Sequence, residues 1–161
     1  MKKSLTIVSA GSLFFYFGSH AQQVDQTILK GNNLYKQKQY EPAAKAYDEA
    51  LAKDPANRTA RFNKANTTYR LSKPDEAVKE FSDLAFKDRA PEEKSGAYYN
   101  EGVVLSNQKK LEESIEAYKN SLRQNPNDKD ARENLQKALL ELKKKKIYSL
   151  PWLLQVKILW R

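Results

Sequence analysis

The chain has 161 residues, with 29 lysines and arginines against 20 aspartates and glutamates, no cysteine and one histidine. This length fits one domain, and the 30% of charged residues fit a large polar surface rather than a bundle of membrane helices. Since the single histidine, His20, lies in a segment expected to be removed, the mature chain lacks the side chains of serine–histidine and thiol catalysis and of Cys/His zinc sites. We therefore expect a non-enzymatic protein without a metal site or cofactor.

The first 21 residues have the three parts of a secretory signal peptide: two lysines, an apolar stretch ending near Gly18, and small residues at Ser19 and Ala21. An uncleaved membrane anchor is the alternative, but the apolar stretch is shorter than the ~20 residues that span a bilayer. Short signals led by lysines are typical of bacteria. We expect cleavage after Ala21 and a periplasmic protein that begins at Gln22.

Three similar units follow along the rest of the chain. Gly31, Ala65 and Gly102 are equivalent points, separated by 34 and 37 residues. Each is followed by a small residue (Ala43, Ala77, Ser114), an aromatic residue (Tyr47, Phe81, Tyr118) and a proline (Pro55, Pro91, Pro126). Small residues allow close backbone approach, aromatic residues fill the space between helices, and proline ends a helix, so each unit reads as two packed helices.

Local signals place the ends of these helices. Asp54-Pro55 and Asn125-Pro126 are expected to stop the second helix of the first and third units. A further helix is predicted from Lys129 to about Lys146, with an apolar side formed by Ala131, Leu135, Ala138, Leu139 and Leu142. We assign three acidic pairs to helix starts, where carboxylates favour the exposed N–H groups: Asp75-Glu76, Glu92-Glu93 and Glu112-Glu113.

This pattern of small, aromatic and proline residues resembles the tetratricopeptide repeat (TPR) family. The resemblance implies an all-α TPR solenoid of three helix-turn-helix repeats plus a C-terminal capping helix, which acts in protein–protein interaction rather than catalysis. It gives repeat 1 at residues 24–57, repeat 2 at 58–94, repeat 3 at 95–128, the capping helix at 129–146 and an apolar tail at 147–161. The second repeat departs from the pattern at Pro74, where an aromatic is usual, and at Leu84, where a small residue is usual.

Two phrases, GNNLYKQKQYEPAAKAYDEAL and PNDKDARENLQKAL, resemble more narrowly the small exported TPR protein of bacterial aerotolerance (Bat) operons, called BatC-like. This narrower resemblance implies membrane-bound von Willebrand A-domain proteins as partners. It also implies a part in assembling a stress-related complex of the cell envelope.

The first helix of each TPR unit lines the concave surface on which the family binds its ligands. The family positions imply a peptide- or partner-binding set of Asn32, Tyr35, Lys36, Phe62, Asn63, Asn66, Arg70, Tyr99, Asn100, Asn107 and Asn134. Asparagine amides both donate and accept, as an extended peptide requires. The alternative is that these asparagines cap turns or bond between helices, and that the tyrosines only pack.

One known TPR ligand site is incomplete in this chain. The carboxylate clamp of chaperone-binding TPR domains holds a peptide C-terminus with two asparagines and three basic residues. Asn32 and Asn63 match its asparagines, but the basic positions hold Ile28, Gly96 and Asn100. We therefore do not expect this clamp to bind a free C-terminal carboxylate.

The positive charge is concentrated near the C-terminus. Acidic and basic residues nearly balance between residues 22 and 142, and no acidic residue follows. Because nucleic-acid binding needs an excess of basic residues on the folded surface, we expect none here. Four lysines and two tryptophans near this end fit contact with an anionic membrane surface: Lys143, Lys144, Lys145, Lys146, Trp152 and Trp160. This tail supports the alternative function of a peripheral membrane protein. The tail could instead fold back on the capping helix, cover a groove of a partner, or result from a frameshift at the lysine run.

Overall fold

The computed structural model describes residues 11–88 and 90–152, and it describes residues 11–20 by their backbone alone. Residues 1–10 of the predicted signal peptide and Trp160 lie outside these described residues. The described chain forms helices without a β-strand, which confirms the predicted all-α class. The helices are α1 (Gly11–Lys36), α2 (Tyr40–Lys53), α3 (Arg58–Arg70), α4 (Pro74–Lys87), α5 (Pro91–Asn107), α6 (Leu111–Gln124) and α7 (Lys129–Tyr148).

The described residues form two compact units, divided between Thr67 and Thr68. In the first unit, α1 packs against α2, and the core also receives Ala60 from α3. Its largest buried side chain is Tyr47 of α2, which is 1% exposed. Among the residues of α1 whose side chains the structure describes, the first buried one is Val24, which follows the predicted cleavage point at Ala21.

Glycine and tyrosine form a close pair inside each unit. A Cβ atom on Gly31 would lie 2.6 Å from Cε1 of Tyr47 in the first unit, and one on Gly102 would lie 2.7 Å from the Tyr118 ring in the second. Real Cβ atoms do not approach other atoms so closely, so an alanine at either position would force the tyrosine ring to shift. These contacts are the physical reason for the small-then-aromatic pattern in the first and third repeats.

The second unit contains α4 to α7, with each helix packed on the next. Its core includes Ile115 and Tyr118 of α6 and Ala138 of α7. The predicted apolar side of α7 is largely correct, since Ala131 and Ala138 are buried and Leu135 and Leu142 pack against the core. Leu139, also assigned to that side, is 46% exposed, because it lies one residue beyond the buried Ala138 and is rotated toward the helix surface.

The turn between the two helices of each repeat has the same backbone geometry. Lys38, Ser72 and Lys109 each have a φ of 61°, in the left-handed region where glycine is usual. In the first turn, the N–H of Lys38 bonds to the carbonyl of Tyr35 and that of Gln39 to the carbonyl of Leu34. These bonds satisfy carbonyls at the end of α1 and compensate the strain of the left-handed residue.

Two of the three repeat prolines follow the end of a helix, whereas the third begins one. α2 ends at Lys53 and α6 ends at Gln124, just before the predicted stop signals at Pro55 and Pro126. Pro91, expected to close the second repeat, instead occupies the first turn of α5, where the missing N–H has no helical partner to lose. As a result α5 begins four residues before the predicted start of repeat 3.

Candidate functional site

The first unit contains a pocket of about 270 Å³ lined by three asparagines, two tyrosines and a lysine. We call it the first-unit pocket, and its lining residues are Asn32, Tyr35, Lys36, Tyr47, Asn63 and Asn66. Five of these six residues belong to the binding set implied by the sequence. These five residues come from the C-terminal end of α1 and the middle of α3. Their spacing of three or four residues places them on one side of each helix.

A hydrogen-bond network fixes the polar groups of this pocket. The Asn32 Oδ1 atom accepts bonds from the Tyr47 hydroxyl at 2.7 Å and from Asn63 Nδ2 at 2.8 Å. Among the described residues, the Asn32 Nδ2 and Asn63 Oδ1 atoms have no such partner. The protein thus orients both amides, while Asn32 retains a donor and Asn63 retains an acceptor. A peptide group requires both, because it has one C=O and one N–H.

The tyrosines separate into a buried and an accessible member. Burial raises the pKa of the Tyr47 hydroxyl to about 12, with a smaller contribution from the neighbouring Tyr35. This group therefore stays protonated and donates to Asn32 at neutral pH. Tyr35 is half-buried, and its ring meets Tyr40 edge to face at 5.4 Å between centroids. Tyr35 therefore offers a rigid apolar wall to the pocket, beside the exposed Lys36.

The remaining positions of the first unit have other contacts. Asn66 lines the pocket, but its Nδ2 donates to the Phe62 carbonyl of its own helix at 3.0 Å. The Phe62 ring lies under the Arg58 guanidinium, 5.2 Å from the ring centroid. Ile28, at a basic position of the carboxylate clamp, is buried in the core with 6% exposure. That position therefore supplies no cation to the pocket.

The second unit contains a separate pocket of about 410 Å³ at the turns before α4 and α6. We call it the second-unit pocket, and it is lined by Tyr69, Arg70, Ser72, Pro74, Asn107 and Gln108. It contains two members of the binding set, Arg70 and Asn107. The Asn107 Nδ2 atom donates to the Tyr69 hydroxyl at 2.7 Å, which joins the two turns.

Other asparagines of the second unit bond inside the protein. Asn134 of α7 donates from Nδ2 to the Tyr99 hydroxyl of α5 at 3.1 Å. Burial raises the pKa of that Tyr99 hydroxyl above its ordinary value, with a further rise from Asp130 and a smaller opposing effect of Asn134. Asn100 donates to the Gly96 carbonyl of its own helix at 2.9 Å. The alternative of bonds between and within helices thus describes what these amide donors do in this structure.

The acidic pairs lie where the sequence places them, in the first turns of α4, α5 and α6. Asp75 accepts bonds from Lys110 Nζ at 2.7 Å and from Gln108 Nε2 at 2.9 Å, which lower the pKa of its carboxyl group. Within residues 11–88 and 90–152, no group of three or more acidic or histidine side chains is placed to hold a metal ion.

The predicted membrane-contact residues lie at the end of α7. Lys143 to Lys146 are exposed, as are Tyr148 and Trp152, which are 70% and 69% exposed. Over the part of the chain that the structure describes, no helix has both the length and the apolar character needed to cross a bilayer.

The predicted binding set lacks five residues that line the two pockets: Tyr47, Tyr69, Ser72, Pro74 and Gln108. The sequence places Tyr47 only in packing, although a tyrosine instead of the phenylalanine of repeat 2 signals a polar role. Ser72 and Gln108 carried no comparable signal, because their positions depend on how two distant turns meet.

Profile models described as tetratricopeptide repeat match residues 28–94 and 95–128, together more than half of the chain. The chain therefore belongs to the tetratricopeptide repeat family, as the small, aromatic and proline pattern predicts.

Relatives of known role are similar to this chain over its repeats. Hsp70-Hsp90 organizing protein 1 of Glycine max is 28% identical over 74% of the chain and 20% of its own length. The Hsp70-Hsp90 organising protein of Plasmodium falciparum is 35% identical over 62% of the chain and 18% of its own length. The chain thus spans about a fifth of the length of these relatives.

Solved TPR domains have the same fold. The first TPR domain of human RPAP3 is 28% identical, with a TM-score of 0.69 over 79% of this chain and 97% of that one. The first TPR of Spaghetti (RPAP3), bound to the HSP90 peptide SRMEEVD, is also 28% identical, with a TM-score of 0.68 over 76% of this chain and 94% of that one.

Proposed function

We propose that this protein is a non-catalytic TPR adaptor that holds an extended segment of another protein in its first-unit pocket. The observation that carries the proposal is the oriented amide pair, in which Asn32 offers a donor and Asn63 an acceptor beside the rigid Tyr35 ring. Peptide binding by similar TPR domains, such as that of RPAP3 with an HSP90 peptide, supports this use of the fold.

The bound segment is expected to differ from the C-terminal peptides of chaperones. The positions that supply cations to a carboxylate clamp hold the buried Ile28, Gly96 and Asn100. A terminal carboxylate would be desolvated there without those three counter-charges, which is costly. Internal segments, whose peptide groups are neutral, match the pocket better.

A photo-crosslinking experiment in the native cell tests this proposal. A photoreactive amino acid replaces the exposed Lys36 at the pocket, and the crosslinked peptide of the partner is sequenced. We expect one recurrent internal segment, lost on Asn32→Ala but retained on Asn33→Ala, because Asn33 is an exposed neighbour that does not line the pocket. Equal crosslinking in both variants would contradict binding through the amide pair.

We further infer that the adaptor works in the bacterial envelope, where the Bat-type resemblance implies von Willebrand A-domain partners in a stress-related complex. The pattern of residues 1–21 supports export, and the described core of α1 starts at Val24, so cleavage after Ala21 would remove none of it. Cell fractionation and N-terminal sequencing test this inference: a periplasmic protein starting at Gln22 is expected, and an intact N-terminus in the cytoplasm would contradict it.

A second candidate function is peripheral membrane attachment, favoured by exposed Tyr148 and Trp152 beside the lysines 143–146. The test is co-sedimentation with vesicles of 30 mol% phosphatidylglycerol in phosphatidylethanolamine. Changing these four lysines to glutamine should release the protein, since each contributes about 1 kcal/mol near an anionic surface. The matched control changes four exposed lysines elsewhere, Lys45, Lys53, Lys79 and Lys87. Equal release of both variants would show that net charge alone, and not the tail, attracts the protein to the vesicles.

A further inference from the structure

The first-unit pocket continues for one helical turn beyond the amide pair. Asn32 and Asn63 form this pair, and Lys36 and Asn66 follow them one turn later on α1 and α3. All four residues line the same pocket, so its second turn offers a cation from one helix and an amide from the other. Because Asn66 Nδ2 donates to its own helix, the Oδ1 atom is the part of this amide that faces a ligand's N–H groups.

Lys36 is an exposed cation, and no carboxylate among the described residues pairs with it. Basic residues also end other helices of this unit, such as Lys53 of α2, because a positive charge is favourable near a helix C-terminus. Lys36 differs from Lys53 in lining a pocket that already has groups for a peptide backbone. A carboxylate on the bound segment would therefore find an ammonium group at the edge of this pocket.

The spacing along α1 determines where on the segment that carboxylate lies. In an extended chain the N–H and C=O of one residue point to the same side, so the amide pair can hold both groups of a single residue. Residues 32 and 36 are separated by about 6 Å along the helix axis. An extended chain advances about 3.3 Å per residue. A segment that continues along α1 therefore brings the residue two positions from the held one next to Lys36.

We propose that the first-unit pocket selects internal segments with a glutamate or aspartate two residues from the residue held by the amide pair, and that Lys36 binds this carboxylate. This inference rests on the proposed function and adds a sequence requirement to it. The ion pair lies at the exposed edge of the pocket, where such pairs change binding about threefold. Lys36 thus sets a preference among segments, and a photoreactive residue in its place still captures those that the amide pair holds.

Blocked peptide pools test the preference for an acidic side chain. The probes are two pools of nonapeptides, acetylated and amidated so that no terminal charge remains. Glutamate or glutamine is fixed at the centre, and uncharged residues other than proline are randomised elsewhere. Mass spectrometry measures retention of each pool by the immobilised full chain. The glutamate pool should be retained about threefold more than the glutamine pool at low salt, and about equally in 1 M salt, where ion pairs are screened.

Proline tests the spacing, because it removes the backbone N–H that Asn63 would accept. Three further pairs of pools have proline fixed two residues before the centre, two residues after it, or three residues after it. The ratio of glutamate to glutamine pools should fall to about one for one of the two-residue positions, and stay at about three with proline three residues away. An unchanged ratio in all three pairs, or a loss only at three residues, would contradict the spacing.

Three variants assign the preference to Lys36. Lys36→Gln should bring the ratio of the two pools close to one, and Lys36→Arg should keep it near three because the charge remains. The matched control is Lys53→Gln, which makes the same change in charge at the end of α2, outside the pocket, and should leave the ratio unchanged. Circular dichroism of each variant verifies that the helices are intact.

The outcomes separate this inference from the proposed function. If both pools bind equally and Asn32→Ala lowers the retention of both, the acidic requirement is wrong and the adaptor function stands. If the glutamate preference persists in Lys36→Gln, or falls equally in Lys53→Gln, the assignment to Lys36 is wrong. If the wild-type protein retains neither pool, both proposals fail.

Discussion

Adding one methyl group at three glycines should change stability in opposite directions. A Cβ on Gly31 would lie 2.6 Å from the Tyr47 ring, and one on Gly102 would lie 2.7 Å from the Tyr118 ring, whereas Gly96 has nothing within 4 Å of that point. All three lie inside helices, where alanine is intrinsically favoured over glycine by about 0.5–1 kcal/mol. The steric contact alone therefore decides the sign.

The magnitude follows from these two terms. Overpacking a filled core costs about 1–3 kcal/mol, and both rings are nearly fully buried and rigid, so they cannot move aside cheaply. Subtracting the helical gain, we expect Gly31→Ala and Gly102→Ala to lower the free energy of unfolding by about 1–2 kcal/mol. Gly96→Ala, the matched control, should raise it by about 0.5–1 kcal/mol.

Urea unfolding followed by circular dichroism at 222 nm measures these differences. A double-mutant cycle adds Tyr47→Leu, which removes the ring that a methyl group on Gly31 would strike. Because the clash then disappears, the double variant should be more stable than the sum of the single changes predicts, by at least about 1 kcal/mol. A Gly31→Ala variant as stable as Gly96→Ala, or additive effects of Gly31→Ala and Tyr47→Leu, would refute a steric clash between residues 31 and 47.

Three further changes test individual interactions. Tyr47→Phe should lower the free energy of unfolding by about 0.5–1.5 kcal/mol, because it removes the hydrogen bond to Asn32. Since the pKa of Tyr47 is about 12 in the folded state against an ordinary 10.0, the stability that this residue contributes should decline as the pH rises between those values. A decline of equal size in the phenylalanine variant would contradict that assignment. Burial raises the pKa of Glu101, a nearby carboxylate raises it further, and the hydrogen bond from Ser82 opposes the rise, so ionisation of Glu101 disfavours folding as the pH increases. Glu101→Gln should therefore raise the melting temperature at pH 7, and the difference from the wild type should vanish below pH 4.5. A gain that persists in acid would exclude this cause. Lys38→Gly should raise the free energy of unfolding by up to about 1 kcal/mol by relieving the φ of 61°, as measured by urea unfolding against Lys38→Ala, which keeps the strain and should show no gain.

The helices and their ends were predictable because local residues encode them. The stop signals at Pro55 and Pro126 act within one turn of chain, and α2 and α6 end beside them as expected. Pro91 shows the limit of this code, since a proline can end one helix or begin the next. Its place at the start of α5 depends on the spacer that follows α4, whose length the repeat pattern does not specify.

The candidate site was predictable in its residues but not in their roles. The family positions put Asn32, Asn63 and Asn66 in one binding set, and all three line the first-unit pocket. They could not show that Asn66 donates to its own helix while Asn63 donates to Asn32, because an amide selects its partner by side-chain rotation. That selection depends on neighbours about 30 residues away.

The sequence by itself determined the repeat and the all-α class, because spacing and residue size act through local helix geometry. The tertiary structure alone decided that Ile28 is closed off in the core, that Tyr47 orients an amide pair, and that Gln108 carries a buried, unpaired acceptor. These properties arise where helices and turns distant in sequence meet, and burial and hydrogen-bond partners exist only once that meeting has occurred.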